Sequence, residues 1–392
     1  MRSSSDGWVS MSDGAIAELR AAIDATGRYT VREEVLGGMN AYAFRALHRA
    51  LAIDVFLKVF DTDARSPESE LFREPRFLVE ATAGGADNLV RVHDAERLGN
   101  DRVLVAMEFV EGGSLEAALT ARALGQAEAV DLAVGILHGV AQLHSRDLVH
   151  RDLKPGNILV PYNAGRPSPK VGDFGSVARL PEADGAVTAS RHTIRYVPPE
   201  GWEQPSRYTK RSDLYQVGLV LHEMAHGPFS DSDKDFLDHE SPRDAKALGF
   251  ESFDECDEVA KCRVLESAIA RTARRRRLLD RAGRRPYVSP RLERIIRKAT
   301  DPNPDRRFAH ATDFIGALQQ LAVPNWRPLG SCVSQALGWR GWDWRVEVVR
   351  RRKKELPPVL ILRRVPGTSG TFRRWSTAMD LRAAFAEVEA FS

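Results

Sequence analysis

HRDLKPGN, residues 150–157, and GDFGS, residues 172–176, decide the reading of this chain. The first places Asp152 five residues before Asn157, so a proton acceptor and an oxygen donor for a metal share one short loop. The second adds Asp173, sixteen residues after Asn157, as a further carboxylate directly before Phe174-Gly175. A base beside two oxygen ligands suits phosphoryl transfer, where positioning and charge neutralisation supply most of the catalysis. A lone DFG would carry little weight. HRDLKPGN, then DFG, then VPPE at 197–200, in that order, is far more specific.

Over about residues 28–322 these motifs resemble the Hanks-type serine/threonine protein kinases, in particular their bacterial branch. The resemblance implies a two-lobed α+β fold, with a β-rich small lobe over 28–108 and a mainly helical large lobe over 109–323. It implies ATP with Mg2+ (Mn2+ as the alternative ion), and a serine or threonine of a protein substrate as acceptor. By the same resemblance Asp152 accepts or orients the acceptor proton and Lys154 stabilises charge on the γ-phosphoryl group. Asn157 and Asp173 hold the metal, whose preference for oxygen ligands and reluctance to dehydrate make few protein ligands sufficient.

Other landmarks of that family fall in order around the loop. VFLKVF, 55–60, resembles the third small-lobe strand, with Lys58 on the α- and β-phosphates. FREPRFL, 72–78, resembles the helix carrying the glutamate partner of that lysine, which makes Glu74 the first candidate. Pro75 follows it, and proline is tolerated in a helix only in the first turn. Either the helix begins near Glu74, or Glu70 or Glu80 takes the role. LVAMEFVEGGSL, 104–115, resembles the last small-lobe strand and the hinge, with Met107 beside the adenine pocket and the backbones of Glu108 and Val110 on the adenine edge. The phosphate-covering loop departs from the pattern, because VLGGMNAYAFRA offers only Gly37 and Gly38 where amides must approach phosphate.

After the DFG motif, Thr188, Ser190 and Thr193 are candidate phosphorylation sites, and Arg151 is a cation able to pair with such a phosphate. Thr193 also matches the position beside the catalytic Asp and Lys in Ser/Thr-specific members. Glu200 is expected to form a buried ion pair with Arg307 of DPNPDRRF, and Asp213 of SDLYQVGLVLHEM to brace the catalytic loop.

The 392 residues leave an extension over 1–27 and a tail over 324–392. Residues 14–25 suit a short amphipathic helix docked on the kinase. No run of 18 apolar residues exists, so no membrane span is expected. Cys256, Cys262 and Cys332 fit neither a disulfide framework nor a zinc spacing, and a cytoplasmic location is expected. About 230–288 reads as an insert, helical from about 255 to 282. Its arginines, 271, 274–277, 281, 284 and 285, suit either an anion-binding surface for an acidic protein or nucleic acid, or a solvated helix end.

The tail holds five of the seven tryptophans and 13 Lys+Arg against 6 Asp+Glu. WRVEVVRR, PPVLILRRV and GTFRRW followed by TAMDLRAAFAEVEAF predict a basic βββα module. With RRRKK at 350–354 it could take nucleic acid, although tryptophans in so small a unit more often fill its core or its seam with the host domain. The expected activity is a protein kinase that also phosphorylates itself. The alternatives are a catalytically weak scaffold and a nucleic-acid-associated regulator acting through the tail.

Overall fold

A computed structural model of the chain describes residues 13–35, 42–62, 72–83, 85, 87–161, 168–181, 185–190, 193–281, 283–330, 333–348 and 359–391. Gly37, Gly38, Glu70, Cys332 and the 350–354 basic run lie outside the described residues.

The small lobe is one antiparallel sheet of β1 (Tyr29–Val35), β2 (Tyr42–His48), β3 (Ile53–Asp61), β4 (Val92–Leu98) and β5 (Arg102–Glu108), in the order β1-β2-β3-β5-β4. Successive side chains of a strand point to opposite faces. Val55, Leu57 and Val59 therefore share one face with Leu104 and Ala106 of β5. Helix α1 (Asp13–Ala25) covers that face with Leu19 and Ile23, both fully buried, as the amphipathic pattern predicts. Phe56, Lys58 and Phe60 take the other face, where Val103, Val105 and Met107 join the core of the large lobe. The same alternation that builds the sheet aims Lys58 into the cleft.

Helix α2 (Arg73–Thr82) begins two residues before Pro75, so the proline sits in the first turn, where no intrahelical N–H bond is lost. The large lobe is built on α3 (Leu115–Ala121), α4 (Gln126–His144) and α5 (Lys210–His226). α5 is buried without interruption from Ser212 to His226, which is why its apolar residues are not confined to one stripe and its polar ones, Asp213, Gln216 and Glu223 among them, find partners inside the protein. Between α4 and α5 run the short strands β6 (Leu148–Val149), β7 (Ile158–Leu159), β8 (Lys170–Val171) and β9 (Ala178–Arg179), paired β6-β9 and β7-β8. Then follow α6 (Ser241–Ala247), α7 (Glu258–Arg274), α8 (Pro290–Ala299) and α9 (Ala311–Gln319).

The insert differs from its expectation. The helix ends at Arg274, and Arg276, at φ +59°, takes the chain out of helical geometry before a turn over Leu278–Arg281. Most of its arginines have partners within the chain. Arg271 grips Asp238 with both Nε and Nη2 (2.8 and 2.7 Å) and reaches Asp244 at 2.7 Å. Arg275 meets Glu240 at 2.8 Å, Arg274 the Trp202 carbonyl at 3.2 Å, Arg276 Asp301, and Arg284 Asp280 at 2.5 Å. These arginines are therefore engaged by groups of the chain itself, four of them by carboxylates, which neither the anion-binding surface nor the solvated helix end had anticipated.

The tail is also corrected. It is a five-stranded antiparallel sheet with a helix, not βββα: β10 (Arg327–Pro328), β11 (Val333–Trp339), β12 (Trp342–Val348), β13 (Val359–Arg364), β14 (Arg373–Ala378) and α10 (Leu381–Ala390). VSQALGW escapes a period-two reading because it carries Ser, Gln and Gly and a register shift between Ala336 and Trp339. Two of the tail's tryptophans are internal and the other three are half-buried. Trp326 and Trp344 are fully buried, Trp344 packs edge-on against Trp375 and Phe391, and Trp339 Nε1 donates to the Val388 carbonyl at 3.1 Å. Rings in such positions are not stacking platforms for bases.

Candidate active site

The cleft face of β3 delivers Lys58, whose Nζ donates to Asp173 Oδ1 at 2.9 Å. Asp173 stands in the left-handed region at φ +54°, a conformation that costs a non-glycine residue about 1–3 kcal/mol and concentrates at functional sites. Burial raises the Asp173 carboxyl, but the Lys58 ammonium, helped by His150 and Lys154, overrides it and holds the group below the usual carboxylate range. Glu74 falls in the first turn of α2, and its side chain lies outside the described residues. Glu80, the alternative partner for Lys58, turns instead to Arg179 at 2.5 Å.

The catalytic loop is hung from one buried carboxylate. Asp213 accepts the backbone amides of His150 (2.9 Å) and Arg151 (3.0 Å), the Tyr208 hydroxyl (2.8 Å) and His144 Nε2 (2.8 Å). Burial raises this carboxyl too, yet His144 and the Arg151 amide bring it below its ordinary value. Gln216, one turn further along α5, accepts the Leu153 amide at 2.9 Å and donates to the Tyr196 carbonyl at 3.2 Å. Sequence reading missed Gln216, since an uncharged residue inside an apolar helix gives no signal beyond its polarity. Arg151 itself lies at φ +70°, a further backbone strain held by these bonds.

Asp152, Lys154, Asn157 and Thr193 meet on that loop. Asn157 Nδ2 donates to the Asp152 carbonyl at 2.7 Å and to its Oδ2 at 3.0 Å, which leaves the Asn157 side-chain oxygen as a ligand atom. Lys154 Nζ lies 3.2 Å from Asp152 Oδ2 and donates to Thr193 Oγ1 at 2.6 Å. An acceptor hydroxyl arriving at Asp152 would find a cation already beside it. The Asp173 carboxylate and the Asn157 amide oxygen form an all-oxygen donor pair, which fits a hard divalent cation.

At the hinge Met107 is buried against Phe56 and Val92 on the neighbouring strands. The Glu108 amide is spent on the Arg91 carbonyl at 2.8 Å, and its carboxylate pairs with Lys170 at 3.1 Å, so only the Glu108 carbonyl could face adenine. The Val110 backbone makes no hydrogen bond among the described residues.

Arg151 does not wait unpaired. Its Nε donates to the Ser176 carbonyl at 2.5 Å and its Nη1 to the Thr188 carbonyl at 2.7 Å. Beside it opens a cavity of about 650 Å³, lined by Arg73, Arg151, Arg207, Thr188 and Ser206 among others, with no carboxylate among the described residues on its walls. Burial lowers the Arg151 guanidinium's affinity for its proton, and Arg73 adds to that pressure. Of the three candidate phosphosites, Thr188 alone lines this cavity. Ser190 Oγ lies 3.3 Å from Ser176 Oγ, and Thr193 is engaged by Lys154.

Two buried carboxylates anchor the segment that follows Thr193. Glu200 and Arg307 form the expected pair in bidentate form, both contacts at 2.7 Å, with Ser212 Oγ donating to Glu200 at 2.7 Å. Glu223 accepts the Tyr196 hydroxyl and the Phe229 amide (2.9 Å), and burial pushes its carboxyl up to about 7. A carboxyl raised in the folded state holds its proton there more tightly than in the unfolded chain. Its contribution is full below about pH 4.5 and is lost as pH rises through about 7. Thermal denaturation at pH 5 and pH 8 should show wild type losing roughly 2–4 kcal/mol through this group, and Glu223→Gln should lack that loss.

With this geometry, the match to known proteins is specific. The family model described as protein kinase domain matches residues 29–317, and the chain belongs to that family. Ribosomal protein S6 kinase 2 alpha of Xenopus laevis is 30% identical over 206 residues, 52% of this chain and 27% of that protein. Ribosomal protein S6 kinase alpha-2 of Homo sapiens is 30% identical over 217 residues, 54% of this chain and 28% of its own length. The chain thus spans under a third of these two relatives. Serine/threonine-protein kinase PknL of Mycobacterium tuberculosis is 29% identical over 313 residues, 76% of this chain and 68% of that protein. No described helix is long and apolar enough to cross a membrane.

Proposed function

We propose that this member of the protein kinase family is an ATP-dependent serine/threonine kinase acting on protein substrates and on itself. The observation that carries the reading is the junction of Asp152, Lys154 and Thr193, a base and a cation held at the mouth of the cleft by a threonine that precedes the Ile194–Tyr196 turn. ATP with Mg2+ supplies the phosphoryl group and the charge neutralisation that transfer needs. Asp152 orients the acceptor hydroxyl and takes its proton, while Lys154 offsets the negative charge that develops beside it. Lys58 would position the nucleotide phosphates, and the Asp173 carboxylate and Asn157 side-chain oxygen would hold the metal. Met107 and the hinge backbone of Glu108 and Val110 bound the adenine side, and Gly37 and Gly38 are assigned to the phosphate cover.

Labelled ATP incubated with the purified chain tests this directly. Incorporation on serine or threonine is the expected result, and none with any protein acceptor would leave the scaffold reading in its place. Asp173→Ala should weaken Mg-dependent ATP binding and lower the rate together, as judged by titration of Mg2+ at fixed ATP.

Activation is assigned to Thr188. Its phosphate would enter the three-arginine cavity and draw Arg73, Arg151 and Arg207 together in charge-assisted bonds. Mass spectrometry after autophosphorylation should find phosphate on Thr188. Arg73→Ala with Arg207→Ala should remove the gain in rate that it brings while leaving the unphosphorylated rate alone. Phosphate on Ser190 or Thr193 alone in the active enzyme would overturn the assignment.

A further inference from the structure

Helix α4 makes only half of its own cap: the Glu128 carboxylate accepts the Gly125 amide at 3.3 Å, but no side chain at the N-cap position accepts an amide of the first turn. The first four N–H groups of a helix have no intrahelical acceptor, and a Ser, Thr, Asp or Asn side chain at the N-cap position ordinarily accepts one of them. In α4 that position is Gly125, which has no side chain. The missing acceptor arrives from two hundred residues downstream: Asn325 Oδ1 accepts the Glu128 amide at 3.2 Å. The next tail residue follows suit, its Trp326 carbonyl accepting the Gln126 amide at 3.2 Å. The third, Arg327, donates to Glu128 Oε2 at 2.9 Å, joining Arg122 on the same carboxylate.

We infer that the tail is a built-in N-terminal cap of α4, so that its described residues, 325–330, 333–348 and 359–391, are a structural layer of the large lobe and not a tethered recruitment module. Further contacts at the same corner support this. Ser289 caps α8 through the Arg291 amide at 3.2 Å, donates its hydroxyl to Glu389 of α10 at 2.9 Å, and its own amide donates to Gln126 Oε1 at 2.6 Å. The N-termini of α4 and α8 therefore meet at one corner, and α10 closes it. Phe385 of α10 packs edge-on against both Tyr287 and Trp326 there. Gly125 belongs to the device, because a Cβ at this position would overlap Asn325 Oδ1. Its backbone, at φ −76° and ψ 153°, would otherwise accept any residue. At its other end α4 finishes at His144, which holds Asp213 and through it the amides of His150 and Arg151, so tail and catalytic loop are fastened to opposite ends of one helix.

The inference does not depend on catalytic activity, and a mutant cycle in the full-length chain tests it. Asn325→Ala removes the acceptor, and Gly125→Ser collides with Asn325, so each alone should lower Tm by roughly 2–4 °C. Combined, the serine hydroxyl has room to cap the Glu128 amide itself, and Tm should return to within about 1 °C of wild type. Hydrogen exchange should localise the Asn325→Ala effect to the amides of residues 126–129, and the double variant should restore their protection. Losses that simply add in the double variant, or a neutral Asn325→Ala with unchanged exchange at 126–129, would overturn the proposal.

Discussion

Asp152→Asn is expected to lower kcat by about 10²–10⁴-fold, the range associated with loss of a positioned general base. The substitution is close to isosteric. The new side-chain oxygen can still accept from Asn157 and Lys154, now at 3.0 and 3.2 Å from Oδ2, so the loop keeps its geometry and only proton acceptance is lost. Nucleotide binding, assigned under the proposed function to Lys58, Asp173 and the hinge, should be nearly unchanged by calorimetry. A variant that retains wild-type turnover would remove Asp152 from the mechanism. One that loses ATP affinity in parallel would show that the loop had shifted instead.

The second large effect is on stability. Arg307→Ala should cost about 3–5 kcal/mol in denaturant unfolding, because it leaves Glu200 buried without its cation. The Arg307 side chain is fully buried and that of Glu200 is 7% exposed, so water cannot stand in for the lost partner. Four further atoms depend on the guanidinium or its carboxylate: the carbonyls of Asp301, Pro302 and Arg211, and Ser212 Oγ. Arg211→Ala is the control, since its pair with Asp305 at 2.7 Å lies at the surface and should be worth about 0–1 kcal/mol. Equal losses in the two variants would mean that the Glu200–Arg307 pair is not the anchor its burial implies.

The electrostatics of the site were readable only in part beforehand. That Asp213 would brace the loop followed from its place in SDLYQV, but not that Tyr208, His144 and two amides would converge on it. Arg151 could be recognised as a cation near the activation segment. Its use of the Ser176 and Thr188 carbonyls, and the addition of Arg73 and Arg207 from distant segments, needed the folded backbone. In the same way the run of arginines in 271–285 looked like an exposed basic surface. Asp238, Glu240, Asp244 and Asp301 neutralise much of it from elements that sequence spacing does not bring near.

By itself, the sequence determined what is local and periodic. HRDLKPGN and DFG carry their donors within single loops, the alternation of VFLKVF points Lys58 to the face opposite Leu57, and Pro75 restricts where a helix through it can begin, because each of these depends on backbone geometry over a few residues. Apart from the Glu200–Arg307 pair and the Asp213 brace, which the family resemblance supplied, tertiary structure decided what turns on a partner far along the chain. Glu80 belongs to Arg179, Thr188 and not Thr193 faces the arginine cavity, and Gly125 takes its cap from Asn325. The physical reason is the same in each case: a buried charge or an open N–H must be satisfied by some group, but which group does so is fixed by the packing of helices and sheets and leaves no periodic trace in the sequence.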